Sequence, residues 1–120
     1  MLGTVVNLEA LVKVAFHLEG KPDVEIEFVI DTGFAGALTL PPSMIQSLGL
    51  DYVQDMVATL ANDSDTKVDI YAANISWLGR ELRATVLEMG KRPLLGTALL
   101  EGYELCARFE ENGTVTISQS

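Results

Sequence analysis

Two neighbouring segments near the N-terminus alternate apolar and polar residues. They span residues 12–18 and 24–30, and in both of them every second residue is apolar. A period of two is typical of a strand that buries one face, and the turn-prone sequence Gly20-Lys21-Pro22-Asp23 separates the two segments. We therefore predict a β-hairpin that carries His17 on its polar face and ends directly before Asp31.

The remaining pattern predicts further short strands and two short helices. Pro41-Pro42-Ser43 is typical of a helix start and Gly49 of its end, so the first helix should lie between them. Residues 97–101, followed by Gly102, predict the second helix. The polar run 62–65 predicts an exposed hairpin tip. Extended segments are expected at residues 37–40, 53–61, 67–78, 82–89, 105–109 and 114–117.

These elements favour a single, mostly β domain. Roughly eight or nine short strands with two short helices are typical of a small antiparallel architecture. The chain has 120 residues, of which 48% are hydrophobic, enough for one core. We therefore expect one domain over residues 1–120, built as a closed barrel or a folded sheet.

Composition and charge narrow the classes of partner. Seventeen acidic against eight basic residues give a net charge of −9, which argues against nucleic acid and anionic membranes as partners. No apolar run approaches the roughly 20 residues that a membrane-spanning helix needs. Residues 1–10 do not combine a basic start with an apolar stretch, as a signal peptide would. A cytoplasmic location is therefore expected.

Cysteine and histidine usage predicts no redox or metal chemistry. Cys106 is the single cysteine, so an internal disulfide is excluded, and its apolar surroundings in sequence predict a buried, inert thiol. No cluster of Cys and His has the spacing of metal ligands. We expect neither a metal nor a cofactor. Trp77 is predicted to pack in the core.

Asp31-Thr32-Gly33 is the main candidate for chemistry. An alternating strand delivers the Asp31 carboxylate into a tight turn, and Leu94-Leu95-Gly96 later repeats the pattern of apolar residues that end in glycine. Taken alone, Asp31 could equally cap backbone amides at the end of a strand, and Leu94 and Leu95 could simply pack the core. The residues by themselves leave both interpretations open.

The order of the motifs resembles the retropepsin-like aspartic peptidases, and in particular their small single-domain bacterial members. The resemblance spans nearly the full chain and implies that it is one half of a homodimeric aspartic protease with a retropepsin-like fold. The matching motifs are Asp31-Thr32-Gly33-Phe34, Ala35-Gly36, Leu40-Pro41-Pro42, Leu60-Ala61 and Leu94-Leu95-Gly96.

The resemblance also implies a role for each matched residue. Asp31 matches the catalytic aspartate, Thr32 the residue whose hydroxyl bonds across the dimer, and Gly33 the glycine that lets the loop turn. Residues 60–71 match the flap over the substrate. The supporting loop is matched by Leu94, Leu95 and Gly96. The substrate cleft is expected to involve Phe34, Ala35, Asn62, Asp63 and Ser64.

Such an enzyme needs two carboxyl groups, one acting as base and the other as proton donor. Two carboxyls about 3 Å apart share one proton, which is the established behaviour of aspartic-protease dyads. The chain has one Asp-Thr-Gly, so the resemblance implies that Asp31 meets its own copy on a two-fold axis.

The segments around Val5 and Val115 are the candidate interface strands. Peptide or protein substrates and highest activity in mild acid are expected. The alternative is a non-catalytic peptide-binding or dimerisation module on the same fold.

Overall fold

The computed structural model of the chain describes residues 1–59 and 62–119. In this part of the chain the backbone forms ten strands and two short helices. The strands are β1 (Leu2–Val6), β2 (Glu9–His17), β3 (Val24–Ile30), β4 (Leu38–Leu40), β5 (Asp51–Thr59), β6 (Asp65–Trp77), β7 (Arg80–Glu88), β8 (Leu94–Leu95), β9 (Glu104–Ala107) and β10 (Thr114–Ser118). The helices are α1 (Pro42–Leu48) and α2 (Thr97–Leu100). The mostly β fold class predicted from the sequence is confirmed.

The hairpin predicted near the N-terminus is formed by β2 and β3. The two strands pair antiparallel, with Val14 opposite Ile26. Their alternating apolar side chains point into the core, where the rings of Phe16 and Phe28 stack with centroids 5.9 Å apart. The period-two pattern thus identified both the strands and their buried face.

All ten strands belong to one sheet, in the order β5-β6-β7-β4-β8-β3-β2-β1-β10-β9. An additional pairing of β6 with β2 folds this sheet on itself. Within the described residues the sheet ends at β5 on one side and at β9 on the other. The architecture is therefore a folded sheet in which β6, β7, β4, β8, β3 and β2 form a closed circuit of pairings, while β5 and the strands β1, β10 and β9 extend beyond it.

The core lies inside the fold of the sheet, and Trp77 is its largest fully buried side chain. The indole Nε1 of Trp77 donates a hydrogen bond to the carbonyl oxygen of Leu99 at 3.1 Å, which satisfies its polar atom and fixes α2 against the sheet. The prediction that Trp77 packs in the core is confirmed.

Both helices begin and end close to the predicted positions. α1 follows Pro41 and ends at Gly49, which adopts a left-handed φ of 65° and donates its N–H to the Ile45 carbonyl. α2 is one residue shorter than expected. Neither helix in the described part of the chain is long and apolar enough to cross a membrane.

Two expectations about the terminal strands are wrong. Cys106 is exposed, because β9 turns Leu105 and Ala107 towards the protein and Cys106 away from it. Val5 and Val115 are fully buried within their own chain, since β1 lies between β2 and β10, and β10 lies between β1 and β9. The segments around Val5 and Val115 are interior strands, and the edge of the sheet on this side is β9.

Candidate active site

Asp31 lies immediately after β3, in a tight turn. One carboxylate oxygen, Oδ1, accepts the backbone N–H of Gly33 at 2.9 Å, and the Asp31 carbonyl accepts the N–H of Phe34 at 3.1 Å. These bonds fix the orientation of the side chain. Thr32 and Gly33 are exposed, and Asp31 is half-buried. The capping interpretation of Asp31 is therefore correct for one oxygen, and it is compatible with a chemical role for the carboxyl group.

The loop that contains Leu94, Leu95 and Gly96 lies directly beside the Asp31 turn. β8 pairs parallel with β3, and the Asp31 N–H donates to the Leu95 carbonyl at 2.9 Å. Further along, the N–H of Thr97 donates to the Phe34 carbonyl at 2.9 Å. The structure thus brings together the two motifs that the sequence analysis singled out, through backbone hydrogen bonds.

Gly96 is needed because two carbonyl groups of one neighbouring segment, residues 34–36, approach it closely. A Cβ atom at this position would lie 2.3 Å from the Gly36 carbonyl oxygen and 2.5 Å from the Phe34 carbonyl oxygen. Contacts this short do not occur between real atoms, so a larger residue would push the two loops apart. The glycine is required by the crossing of the loops, whatever the chemistry at Asp31.

An open cleft of about 610 Å³ lies beside the Asp31 turn. Its lining includes two large, exposed apolar side chains, Leu8 with 69% and Phe109 with 62% of the residue surface exposed. Leu8 lies in the β1–β2 turn with a left-handed φ of 62°, a conformation that costs about 1 kcal/mol for such a residue. The lining residues are Leu8, Glu9, Ala10, Val29, Ile30, Asp31, Thr32, Leu94, Leu105, Ala107 and Phe109.

Phe34 and Ala35, which were predicted for the substrate cleft, do not line the cleft beside Asp31 within one chain. The half-buried Phe34 folds over its own loop, where its ring contacts the positions of Gly36 and Gly96. Ala35 lines a separate shallow depression beside α2. Sequence reasoning missed Leu8, Leu105 and Phe109, because they come from segments about a hundred residues apart and no local pattern joins them.

Glu9 is the second carboxylate on the wall of the cleft. Arg92 Nη1 donates to Glu9 Oε2 at 2.7 Å, and this hydrogen bond lowers the pKa of the Glu9 carboxyl below its ordinary value. A carboxylate that an arginine holds as an anion is a poor proton donor. Glu9 therefore does not complete an acid–base pair with Asp31 within one chain.

The hairpin of β5 and β6 corresponds to the predicted flap. At its tip, the side chain of Asn62 accepts the backbone N–H of Ser64 at 3.2 Å and the Ser64 hydroxyl at 2.7 Å, and Asp63 adopts a left-handed φ of 62°. Within one chain, Asn62, Asp63 and Ser64 do not line the Asp31 cleft. The predicted Leu60-Ala61 motif lies outside the described residues.

A second polar cluster surrounds His17, away from the cleft. His17 Nδ1 is 3.0 Å from Asp23 Oδ1, and its Nε2 is 2.7 Å from the Ser76 hydroxyl oxygen and 3.6 Å from a Glu81 carboxylate oxygen. The hydrogen bond to Asp23 raises the pKa of His17 above its ordinary value.

This order of groups is that of a serine hydrolase triad, but the backbone around Ser76 pairs with both β2 and β7. Those peptide groups cannot also stabilise an oxyanion, so the cluster serves as structure. In the described residues, no group of three or more His, Cys, Asp or Glu side chains is arranged to hold a metal ion.

Comparisons with known proteins find similarity in structure only. No family model and no curated protein matches the chain in sequence. The solution structure of simian foamy virus (mac) protease is similar with a TM-score of 0.54 and 16% identity, over 76% of this chain and 91% of the viral chain.

The crystal structure of a retropepsin-like aspartic protease from Rickettsia conorii is similar with a TM-score of 0.55 and 18% identity. That match covers 98% of this chain and 92% of the rickettsial chain. Both similar structures are proteases, the rickettsial one a retropepsin-like aspartic protease, and at this level of identity the likeness defines the fold. The chain therefore has the fold of the retropepsin-like aspartic proteases.

Proposed function

We propose that the chain is one half of a homodimeric aspartic endopeptidase in which Asp31 and the partner's Asp31 activate a water for peptide-bond hydrolysis. The observation that carries this proposal is the position of Asp31. Its carboxyl group is held by the backbone at the end of β3, beside an open cleft, on a fold shared with aspartic proteases. The cytoplasmic location predicted from the sequence is part of the same proposal.

The proposed chemistry divides the work between two carboxyl groups. The ionised carboxylate takes a proton from the water, and the protonated carboxyl hydrogen-bonds and then protonates the oxygen of the scissile carbonyl. The resulting tetrahedral intermediate collapses when the leaving amine receives a proton. Neither group needs a metal ion, because the water is activated by the carboxylate alone.

Two features of the cleft support the need for a second copy. Glu9, the other acidic residue on its wall, is engaged by Arg92, so the second carboxyl group has to come from elsewhere. Leu8 and Phe109 expose large apolar surfaces beside Asp31, where a second chain would remove them from water. Both observations support a site completed by a copy of the same chain.

Peptide or protein segments are the proposed substrates. The β5–β6 hairpin presents exposed Tyr52, Val53, Met56 and Val57, and strands of this kind can bind an extended peptide by apolar contact and backbone pairing. A pair of carboxyls that shares one proton should work best in mild acid. A pH–rate profile that stays flat from about pH 4 to 9 would contradict that part of the proposal.

The proposal is tested by digesting a peptide library with the wild-type protein and with Asp31→Asn, each also run in a sedimentation experiment. We expect Asp31→Asn to keep the dimer and to lose cleavage. Glu25→Gln is the matched control, because Glu25 lies exposed near the other end of the same strand and does not line the cleft. Equal cleavage by wild type and Asp31→Asn would contradict the proposed role of Asp31, and no cleavage by either would favour a non-catalytic binding or dimerisation module.

A further inference from the structure

β9 is an edge strand beside the candidate active site. Among the described strands it pairs with β10 on one side, and it ends the sheet on the other. An open edge presents unpaired N–H and C=O groups that favour pairing with another strand. Because Leu105 and Ala107 of β9 line the Asp31 cleft, whatever pairs with this edge lies next to that cleft.

The direction of each peptide group along β9 follows from one hydrogen bond. The Arg108 N–H donates to the Thr114 carbonyl at 3.0 Å, in the same register that pairs Cys106 with Thr116. In an antiparallel pair, alternate residues direct their N–H and C=O groups to the same neighbour. Those of Cys106 therefore face β10, and those of Leu105 and Ala107 face outward from the sheet.

We propose that a second copy of this chain binds at β9 through its own β9, antiparallel, with Leu105 opposite the partner's Ala107. This inference rests on the proposed function, which requires a second copy at the cleft, and it specifies the surface and the register. The two-fold axis then passes between Cys106 and the partner's Cys106, normal to the sheet. On the inner face of β9, that axis runs towards the cleft that contains Asp31.

The register is selected by hydrogen bonding and by charge. With Leu105 opposite the partner's Ala107, all outward N–H and C=O groups of these two residues are paired on both strands. The same register places Glu104 opposite the partner's Arg108, so each end of the strand pair carries opposite charges. A slip of two residues would instead place Glu104 opposite the partner's Glu110 or the partner's Cys106, and both of those pairings are worse.

Local composition favours this contact although each chain carries a net charge of −9. The segment Leu105-Cys106-Ala107 has no charged side chain, and it is followed by the exposed Arg108, whose Nε donates to Glu110 Oε1 of the same chain at 2.9 Å. The apolar Leu8 and Phe109 share the cleft wall with Leu105 and Ala107, which continues the apolar surface beyond the strand. Self-pairing at β9 therefore brings no like-charged side chains together at Leu105, Cys106 and Ala107.

Cys106 reports this register directly. As a pair without mutual hydrogen bonds, the two Cys106 residues would have Cα atoms about 4.5 Å apart, within the range that a disulfide spans. Oxidised glutathione serves as the probe. The two Cys106 thiols lose two electrons and two protons and form one S–S bond, while the glutathione disulfide takes up those two electrons and two protons and becomes two glutathione thiols. We expect a covalent dimer on a non-reducing gel with wild type and none with Cys106→Ser.

Charge reversal tests the register without the cysteine. Glu104→Arg or Arg108→Glu alone should raise the dimer dissociation constant about tenfold by placing like charges opposite each other at both ends. The double variant Glu104→Arg/Arg108→Glu should restore it. Lys21→Glu is the matched control for a lost positive charge, because it lies in the β2–β3 turn, at the opposite end of β3 from Asp31.

The outcomes separate this inference from the proposed function. A dimer that forms no Cys106 crosslink and is insensitive to both charge reversals would overturn the β9 interface. If that same dimer still cleaved peptides through Asp31, the proposed function would stand. A crosslinked, charge-rescued dimer that cleaves no peptide would leave the interface in place and overturn the function.

Discussion

The Asp31 turn and the β5–β6 hairpin are both loops of the same sheet, but they are held in different ways. The Asp31 turn is fixed by backbone bonds to residues far away in sequence, such as the bond from its N–H to the Leu95 carbonyl. The hairpin tip is held by side chains within the hairpin itself, as in the bonds from Ser64 to Asn62 and from Thr59 to Asp65.

This difference matches what each region would have to do in the proposed enzyme. A reacting carboxyl group must be positioned to a fraction of an ångström, and bonds to the core provide that precision. A segment that covers a substrate has to admit it first, and a hairpin with mainly local contacts opens at low cost. We therefore expect substitutions in the first region to change stability and those in the second to change substrate binding.

The largest effect is expected at the crossing of the two central loops. Gly96→Ala places a methyl group against two carbonyl oxygens and should lower the free energy of unfolding by about 3 kcal/mol. Urea unfolding measures this change. Gly20→Ala is the control, because the added methyl group contacts no neighbouring atom. Its only cost is the left-handed φ of 70°, which should lower the free energy of unfolding by about 1 kcal/mol. Equal losses for the two variants would show that the loop crossing is not tight.

A smaller effect, and one on binding, is expected at the hairpin tip. Asn62→Ala removes both bonds to Ser64 and should change the free energy of unfolding by less than about 0.5 kcal/mol, because the site is exposed. If the hairpin covers the substrate, KM should rise about threefold with little change in kcat.

The matched control for the hairpin tip is Asn74→Ala. This substitution removes an exposed asparagine from β6 outside the tip, where Asn74 accepts a hydrogen bond from Arg83. An equal rise in KM for Asn62→Ala and Asn74→Ala would contradict a specific role of the hairpin tip in substrate binding.

The smallest effect on stability is expected at His17, which lies outside both the Asp31 turn and the β5–β6 hairpin. The bond to Asp23 raises the pKa of His17 in the folded state, so protonation stabilises the folded protein. That contribution is complete below the unfolded pKa of about 6.5 and is lost as the pH rises through the higher folded value.

We expect the urea midpoint of the wild type to fall between about pH 6 and 8, and that of His17→Asn to fall less. A wild-type urea midpoint that rises between about pH 6 and 8 would contradict the stabilising role of protonated His17. The pH dependence of cleavage should be separate, since His17 does not line the cleft.

Features set by local sequence were predictable. The β2–β3 hairpin follows from strict alternation, and α1 from its proline start and Gly49, because these signals act within a few residues. That Asp31 and Leu95 belong to one site was predictable only from the order of all the motifs along the chain. Nothing near Asp31 in the sequence specifies its neighbour.

The errors concern features that depend on distant partners. Cys106 lies among apolar residues in sequence, yet the pairing of β9 with β10 decides which face of the strand turns outward. Leu8 and Phe109 meet at the cleft only through the pairing of β1, β10 and β9. Such relations arise from the register of the sheet, and a one-residue shift would reverse them.

The account depends on two copies of Asp31 sharing one site, and a mixing experiment tests this most directly. Wild-type and Asp31→Asn chains are unfolded together, refolded in varying ratios and assayed for peptide cleavage. If one site needs an intact Asp31 from each copy, activity falls as the square of the wild-type fraction, to about one quarter in an equal mixture. A linear fall, to about one half, would show that each chain acts alone and would contradict the account.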